Sequence, residues 1–350
     1  MKPHSAAIRE HAPGARRGLA SGAPAALLTL LADGAEWSGS ALANALGVTR
    51  AAVWKQIGQL RALGATVHAA AGRGYRLDAP IERLDPARIA AAVSPEQRAH
   101  VGAIDVHWQI DSTSSELVRT AATATVPRAC LAEIQTAGRG RRGRAWQMPI
   151  GGGIAVSFLR RFDGGMATLA GLSLIAGIAV MHALADVNVS GVALKWPNDV
   201  VADGKKLGGI LVELGGDALG PCHAVIGIGV NVRVGSGAPI DQPWTDLAAL
   251  HAGELPSRNL VAGRILSRLA EALEIFAARG FPAFEREYAK HDALLGREIA
   301  VSMRDQTWMG TAQGVTSRGA LVVTRGKERL EIDSGEVSVR RVEPRIARRA

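Results

Sequence analysis

The spacing of apolar positions divides the chain into stretches of different rhythm. Residues 1–24 are rich in Ala, Gly, Pro and Arg and carry no apolar period. They read as a disordered basic tail. From Ala25 the pattern becomes helical. Ala25–Leu31 predicts a short apolar helix, broken at Asp33-Gly34. Ser40 is placed to cap a second helix, Ala41–Leu46, closed by Gly47. Thr49 is placed to cap a third, in which Val53, Ile57 and Leu60 fall at i, i+4 and i+7. Arg50, Lys55, Gln59 and Arg61 mark its other face. Gly64 ends it, and Val67 and Tyr75–Leu77 predict two strands around Ala71-Gly72-Arg73-Gly74.

A longer mixed pattern follows. Alternation at Val106–Ile110, Cys130–Ile134 and Gly153–Leu159 predicts strands. Helices are expected after Ser115, from about Met166 to Asp186, and over Asn259–Arg279. Val192–Trp196, Val200–Ala202, Leu207–Leu214 and Ala224–Val234 predict a sheet, with Asp203-Gly204 as a two-residue hairpin turn. Residues 294–342 turn to short strands, with turns near Arg304-Asp305, Ser317-Arg318-Gly319, Arg325-Gly326 and Asp333-Ser334-Gly335, as in a small all-β module. The expected class is a multidomain α/β (α+β) protein. Its expected divisions are a tail at 1–24, a winged helix-turn-helix at 25–80, a catalytic domain at 81–290, a β-barrel at 291–343 and a basic tail at 344–350.

Composition changes this picture in three places. In 350 residues, 47% hydrophobic content supplies ample core, but aromatics are only 4%, so small aliphatic residues must do the packing. The formal charge of +9 favours anionic partners. Part of it lies in the ends, where Lys2, Arg9, Arg16 and Arg17 face only Glu10, and Arg340, Arg341, Arg345, Arg348 and Arg349 face only Glu343. Two cysteines, Cys130 and Cys222, make neither a disulfide framework nor a metal spacing, which fits a reducing cytoplasm. No signal peptide is read, because Pro13, Arg16 and Arg17 interrupt any apolar run. Met166–Val189 is nearly uncharged, but its Ala, Gly and Ser content, with His182 and Asp186, favours a buried helix over a membrane span.

Two short helices around a glycine turn, followed by a hairpin, predict a DNA-reading winged helix. Arg50 and Lys55 lie in the first half of the second helix, where base edges and phosphates come within reach. Ser40, Thr49 and Arg73 complete the candidate DNA-binding set, with Gly72 and Gly74 turning the wing and Arg76 also near phosphates. The same fold also serves as a protein–protein module.

The sharpest feature is Gly138-Arg139-Gly140-Arg141-Arg142-Gly143-Arg144. Flexible backbone and mutually repelling arginines predict a loop that an anion would order, since Arg forks bind phosphate or carboxylate bidentately. Alone, it also fits a basic nucleic-acid-binding run. Lys195-Trp196-Pro197-Asn198-Asp199 sets a cation and a carboxylate about a Pro turn. Lys206-Leu207-Gly208-Gly209 adds a second cation beside two glycines, and Gly227-Ile228-Gly229-Val230-Asn231 repeats glycine in a neighbouring strand. Glycine weakens a strand, so four of them predict something packed flat against the sheet.

Together these motifs resemble the bifunctional biotin–protein ligase and biotin-operon repressor family, over about residues 25–342. The resemblance implies a class II synthetase-like catalytic domain, an SH3-like C-terminal barrel, and ATP, biotin and Mg²⁺ as ligands, with no metal held by the protein's own side chains. It implies biotin contacts at Ser112, Thr113, Ser114, Gln135, Arg139, Gly140, Arg141, Lys206, Gly209 and Gly227. Relatives often carry Asn where Ser114 stands. The adenylate side falls on Arg141, Arg144, Lys195, Lys206, Asn231 and Trp244. The implied catalytic set is Arg141, Lys195, Asp199 and Lys206, with Asp199 orienting or deprotonating the acceptor lysine or, equally, capping a turn. The implied partners are a biotin carboxyl carrier protein of acetyl-CoA carboxylase, other biotin-dependent carboxylases, operator DNA, and a second copy of the chain once adenylate is bound. No membrane partner is expected. The competing readings are a ligand-sensing regulator without catalysis, a lipoate–protein ligase and an RNA-binding protein.

Overall fold

The structure is a computed structural model that describes residues 23–70, 72–235, 242–251, 253–303, 306–333 and 337–341. Residues 1–22 of the tail expected at 1–24, the tail expected at 344–350, and the turns at Arg304-Asp305 and Ser334-Gly335 lie outside the described residues, whereas Ala23 and Pro24 open the first helix rather than ending a tail.

The N-terminal unit is built from helices α1 (Ala23–Leu31), α2 (Gly39–Leu46) and α3 (Arg50–Ala62), then a hairpin of β1 (Val67–Ala70) and β2 (Gly74–Leu77). Leu27, Leu28, Leu31, Leu42, Val53, Ile57, Leu60 and Leu77 close its core. Thr49 caps α3, accepting from the Ala52 N–H at 3.2 Å. The cap of α2 differs from the expectation. Ser38, not Ser40, is extended and accepts from the Ala41 N–H at 3.0 Å, and Ser40 lies inside the helix. The wing decides this: Trp37 exchanges two backbone hydrogen bonds with Tyr75, which holds the chain extended up to Ser38.

The central unit contains α4 (Pro86–Ala92), α5 (Arg98–Val101), β3 (Ala103–Ile110), α6 (Thr113–Thr120), β4 (Arg128–Gln135), β5 (Gly153–Phe162), α7 (Leu172–Ala185), β6 (Val192–Lys195), β7 (Asp199–Ala202), β8 (Lys205–Gly216), β9 (Cys222–Asn231), α8 (Leu247–Leu250), α9 (Arg258–Arg279) and α10 (Glu285–His291). Its seven strands run β3-β4-β5-β9-β8-β7-β6, parallel at β3/β4 and antiparallel elsewhere. Asp203 and Gly204 both take positive φ, as a type I′ hairpin turn requires.

Two helix starts move from their expected places. Ser112, not Ser115, caps α6, accepting from the Ser115 N–H at 3.3 Å. The apolar run from Met166 breaks at Gly171 (φ 82), and α7 begins at Leu172. Gly171 packs under Phe281, whose ring would lie 2.8 Å from any Cβ there. Helix α7 is apolar nearly all round because it is buried nearly all round. Among the described residues, no helix is long and apolar enough to cross a membrane.

The C-terminal unit is an antiparallel sheet, β13-β12-β11-β10-β14, made of β10 (Glu298–Met303), β11 (Gln306–Val315), β12 (Leu321–Arg325), β13 (Glu328–Ile332) and β14 (Val337–Arg341). Its Ile299, Val301, Leu321 and Val323 belong to the same apolar core as α7 and α9. Buried Trp196 donates its Nε1–H to the Gly319 carbonyl at 3.0 Å, joining this sheet to β6.

Contacts at residues 149–150 help tie the units, and Ile134 and Ile150 pack into the N-terminal core. The Ile150 N–H donates to the Leu63 carbonyl, and Gly64 (φ 88) abuts Pro149, which a Cβ would approach to 2.7 Å. The segment after the wing is anchored by a buried ion pair. Glu133 (2% exposed) accepts from Leu84 N–H and pairs with Arg258 (4%) at 3.0 Å. Arg258 also donates to the carbonyls of Glu82 and Gly153, so its donors are matched inside the protein.

Candidate functional site

Directly opposed residues in an antiparallel sheet share a face. One row therefore crosses the central sheet as Lys195, Asp199, Gly209, Gly229 and Ala155. The next row on that face is Leu211, Gly227 and Ser157. Small residues in the middle leave a trough, and charges stand at its β6/β7 side. The opposite face carries Leu194 and Ile210 against α7.

Lys206 reaches the trough through a fold irregularity. Residues three apart on a strand face opposite ways, yet Lys206 and Gly209 share this face. A bulge between β7 and β8 explains it: Val200 opposes Gly208 but Val201 opposes Lys206. The Lys206 Nζ then lies 2.6 Å from Asp199 Oδ1, with both side chains under one-fifth exposed. Asp199 is thus a paired carboxylate at the start of β7. It is the counter-charge of Lys206, and it also acts electrostatically on Arg141.

The glycine–arginine loop folds back on itself. Gly140 N–H donates to Arg144 O, Trp146 N–H donates to Gly138 O, and Arg139 bridges Ala145. Its arginines are drawn to different places. Arg139 pairs with Glu213 at 2.8 Å, and Arg141 contacts Asn198 Oδ1 at 3.3 Å. Burial pushes the Arg141 guanidinium below its ordinary range, Arg142 adds to this, and Asp199 opposes it. Arg142 takes a left-handed conformation and is exposed.

The expected flat occupant of the glycine rows is, in this structure, the protein itself. A Cβ on Gly229 would sit 2.4 Å from the Trp146 indole, and one on Gly227 would sit 2.5 Å from Ser114 Oγ. One on Gly208 would meet the Gly229 carbonyl at 2.6 Å. Trp146, two residues beyond the glycine–arginine run, is a site residue that the sequence analysis missed. Its indole N–H is buried without a partner among the described residues.

The other end of the trough is polar. Gln135 Oε1 accepts from the Thr113 N–H at 2.8 Å and from its hydroxyl at 3.1 Å. Ser157, fully buried, lies 2.8 Å from Thr113 Oγ1 and 2.9 Å from Ser114 Oγ. Ser157 was also missed, and its signal was a lone hydroxyl inside the apolar run Gly153–Leu159. Asn231 is buried and donates to the Thr245 carbonyl at 3.0 Å. Lys206 makes backbone bonds to Pro243 and Thr245. Asn231 and Lys206 thus hold the Trp244 segment against the trough.

The trough and the loop over it enclose one cavity of about 840 Å³. Every ligand-binding or catalytic residue singled out from sequence is on its wall: Ser112, Thr113, Ser114, Gln135, Arg139, Gly140, Arg141, Arg144, Lys195, Asp199, Lys206, Gly209, Gly227, Asn231 and Trp244. Both cysteines are buried free thiols away from it. Burial pushes Cys130 up to about 12 and raises Cys222. Among the described residues, no three His, Cys, Asp or Glu side chains gather to hold a metal.

A second charged face lies on the N-terminal unit. Arg50, Lys55 and Arg73 are exposed there, with Arg73 3.8 Å from Glu36. Ser40 is exposed on α2, and Thr49 is engaged as the α3 cap.

The architecture defines a class first: a winged helix-turn-helix joined to a mixed-sheet domain that encloses an anion-seeking cavity, followed by a small β domain. The sequence patterns of three families match in that order. They are an HTH domain at residues 25–76, the biotin/lipoate A/B protein ligase family at 108–231, and the biotin protein ligase C terminal domain at 294–340. The chain is 36% identical over 323 residues to the bifunctional ligase/repressor BirA of Salmonella typhimurium, covering 91% of this chain and 98% of the relative. It is 34% identical to the protein of the same name from Escherichia coli, again over 91% and 98%. A solved biotin protein ligase from Aquifex aeolicus, in complex with biotin and ATP, superposes with a TM-score of 0.59 at 31% identity, over 68% of this chain and 99% of that one. The chain belongs to the biotin protein ligase family, in the form that carries an N-terminal helix-turn-helix.

Proposed function

We propose that the protein is an ATP-dependent biotin–protein ligase that also acts as a biotin-responsive transcriptional repressor. The observation that carries the ligase reading is convergence. Residues far apart in the chain, from Ser112 to Trp244, line one cavity with two lysines and the loop arginines about its glycine floor.

In the first step a biotin carboxylate oxygen attacks the α-phosphorus of ATP, and the bond to pyrophosphate breaks. Two anions must meet, so cationic groups fixed beforehand lower the barrier. Arg141, Arg144, Lys195 and Lys206 supply them. Asp199 keeps the Lys206 ammonium aimed into the trough. The polar cluster of Ser112, Thr113, Ser114 and Gln135 holds the ureido end of biotin, with Arg139, Gly140, Gly209 and Gly227 along its length. Trp244 and the Asn231-held segment bound the adenylate end. Holding both reactants in line accounts for much of the acceleration, roughly 7–11 kcal/mol in favourable cases. Mg²⁺ fits as an ion carried on the triphosphate, since it is ordinarily held by phosphates, waters and one or two carboxylates. It would neutralise phosphate charge.

In the second step the acceptor lysine of a biotin carboxyl carrier protein attacks the acyl carbon, AMP leaves, and the amine loses a proton. We assign to Asp199 the orientation of that amine. Acetyl-CoA carboxylase is the principal acceptor we propose, and other biotin-dependent carboxylases the further ones. Biotinyl-5′-AMP acts as corepressor by promoting a homodimer that engages two half-sites of operator DNA through Arg50, Lys55 and Arg73. The compartment is the cytoplasm, which the two free thiols fit.

The test is incubation with ATP, labelled biotin and a carrier domain. Label covalently on the carrier is expected, and labelled lipoate in a parallel reaction should give none. Lipoate transfer without biotin transfer would overturn the reading.

A further inference from the structure

Helix α3 buries Val53, Gln56, Ile57 and Leu60 and turns its other side to solvent. Trp54 stands on that open side, 69% exposed, the one aromatic among the exposed large hydrophobic side chains of the described residues. Single exposed apolar residues need no explanation, but two neighbours give this one meaning. Gly58, one turn further on, lies in the helix interior, where glycine is destabilising relative to alanine. A Cβ at Gly58 would meet nothing within 4 Å, and its φ is ordinary, so the fold itself has no use for a glycine there. Ala51, one turn before Trp54, is also exposed. The indole therefore has a small residue, Ala51 or Gly58, beside it in each neighbouring turn.

The charges on this face choose its partner. Its ionic residues are Arg50, Lys55 and Arg61, and α3 contains no carboxylate. An indole among cations, on the second helix of a helix-turn-helix, matches the major groove of duplex DNA. There the backbone offers phosphates, and thymine offers the one apolar group among the base edges, its 5-methyl.

We propose that Trp54 reads sequence by contact with a thymine 5-methyl group, and that Gly58 lets α3 approach the groove wall with no side chain between. The idea rests on the DNA-binding reading above.

The test uses the full chain with biotin and ATP. A random duplex library yields the preferred site, and each thymine in it is then replaced by uracil, which removes only the methyl. One thymine per half-site should weaken wild-type binding about fourfold on losing its methyl. In Trp54→Ala the same replacement should change nothing, while the salt dependence of binding stays as in wild type. Gly58→Ala should raise the melting temperature and weaken DNA binding several-fold. A uracil effect that persists in Trp54→Ala, no methyl-sensitive thymine, or Gly58→Ala binding as wild type would overturn the proposal. Salt-sensitive binding without sequence preference would overturn it while leaving DNA binding in place. No duplex binding even at low salt would overturn the DNA-binding reading itself, and this proposal with it.

Discussion

Gly229→Ala tests the geometry of the trough with one methyl group. The new Cβ would lie 2.4 Å from Cε2 and Cζ2 of the Trp146 indole. Ordinary carbon–carbon contact is about 3.5–4.0 Å, so one side must move by about 1 Å. Strand β9 has little freedom to do so, because Gly229 is paired with Ala155 on one side and Gly209 on the other. The indole must therefore lift. Trp146 closes the arginine loop through its backbone bond to Gly138, so Arg141 and Arg144 shift with it. A misplacement of about 1 Å can cost 10²-fold in rate, or about 2.7 kcal/mol of barrier. Overpacking should lower stability by about 1–3 kcal/mol. The assays are pyrophosphate release in a single turnover with saturating biotin and ATP, and urea unfolding. Removing the indole in Trp146→Ala/Gly229→Ala removes the clash, so the double variant should recover the stability that the single glycine change loses. Adenylate formation at the wild-type rate in Gly229→Ala, or no recovery in the pair, would refute the reasoning.

Other outcomes follow from the same contacts. Arg141→Gly should hasten adenylate dissociation, since the loop loses the arginine that contacts Asn198 and feels the Asp199 charge, and a stopped-flow chase would show it. Asp199→Asn should slow transfer from preformed adenylate to carrier; an unchanged transfer rate would remove Asp199 from that step. Glu133→Gln leaves the Arg258 charge buried without its counter-ion and should cost roughly 3–5 kcal/mol in urea unfolding. Asp111 is held down to about 2, chiefly by its hydrogen bonds with Arg119. A depressed carboxylate stabilises above its unfolded value, near 3.9, and its contribution is lost as pH falls from there toward 2. Carboxyl NMR titration of Asp111 should show that low midpoint, and Arg119→Ala should raise it, with the Ser112 N–H still favouring the carboxylate.

Much of this protein was determined by local sequence alone. Helix α3, its Thr49 cap and its Val53-Ile57-Leu60 face follow from a 3.6-residue period and a short polar side chain, both acting over a few residues. The Asp203-Gly204 turn follows from two residues that tolerate positive φ. Many of the cavity's residues were also readable, because their types and spacings are chemically unusual, but Trp146 and Ser157 were not. Other features waited on distant partners. Ser38 rather than Ser40 caps α2 because Tyr75 pairs with Trp37. The break at Gly171 depends on Phe281 arriving from more than a hundred positions away. Most of all, strand periodicity places Lys206 and Gly209 on opposite faces, and only the β7/β8 bulge brings both into one trough beside Asp199. Local periodicity records which way a side chain points along its own element. Which element lies across from it, and in what register, is set by pairings between segments far apart in the chain, and the site is made of those pairings.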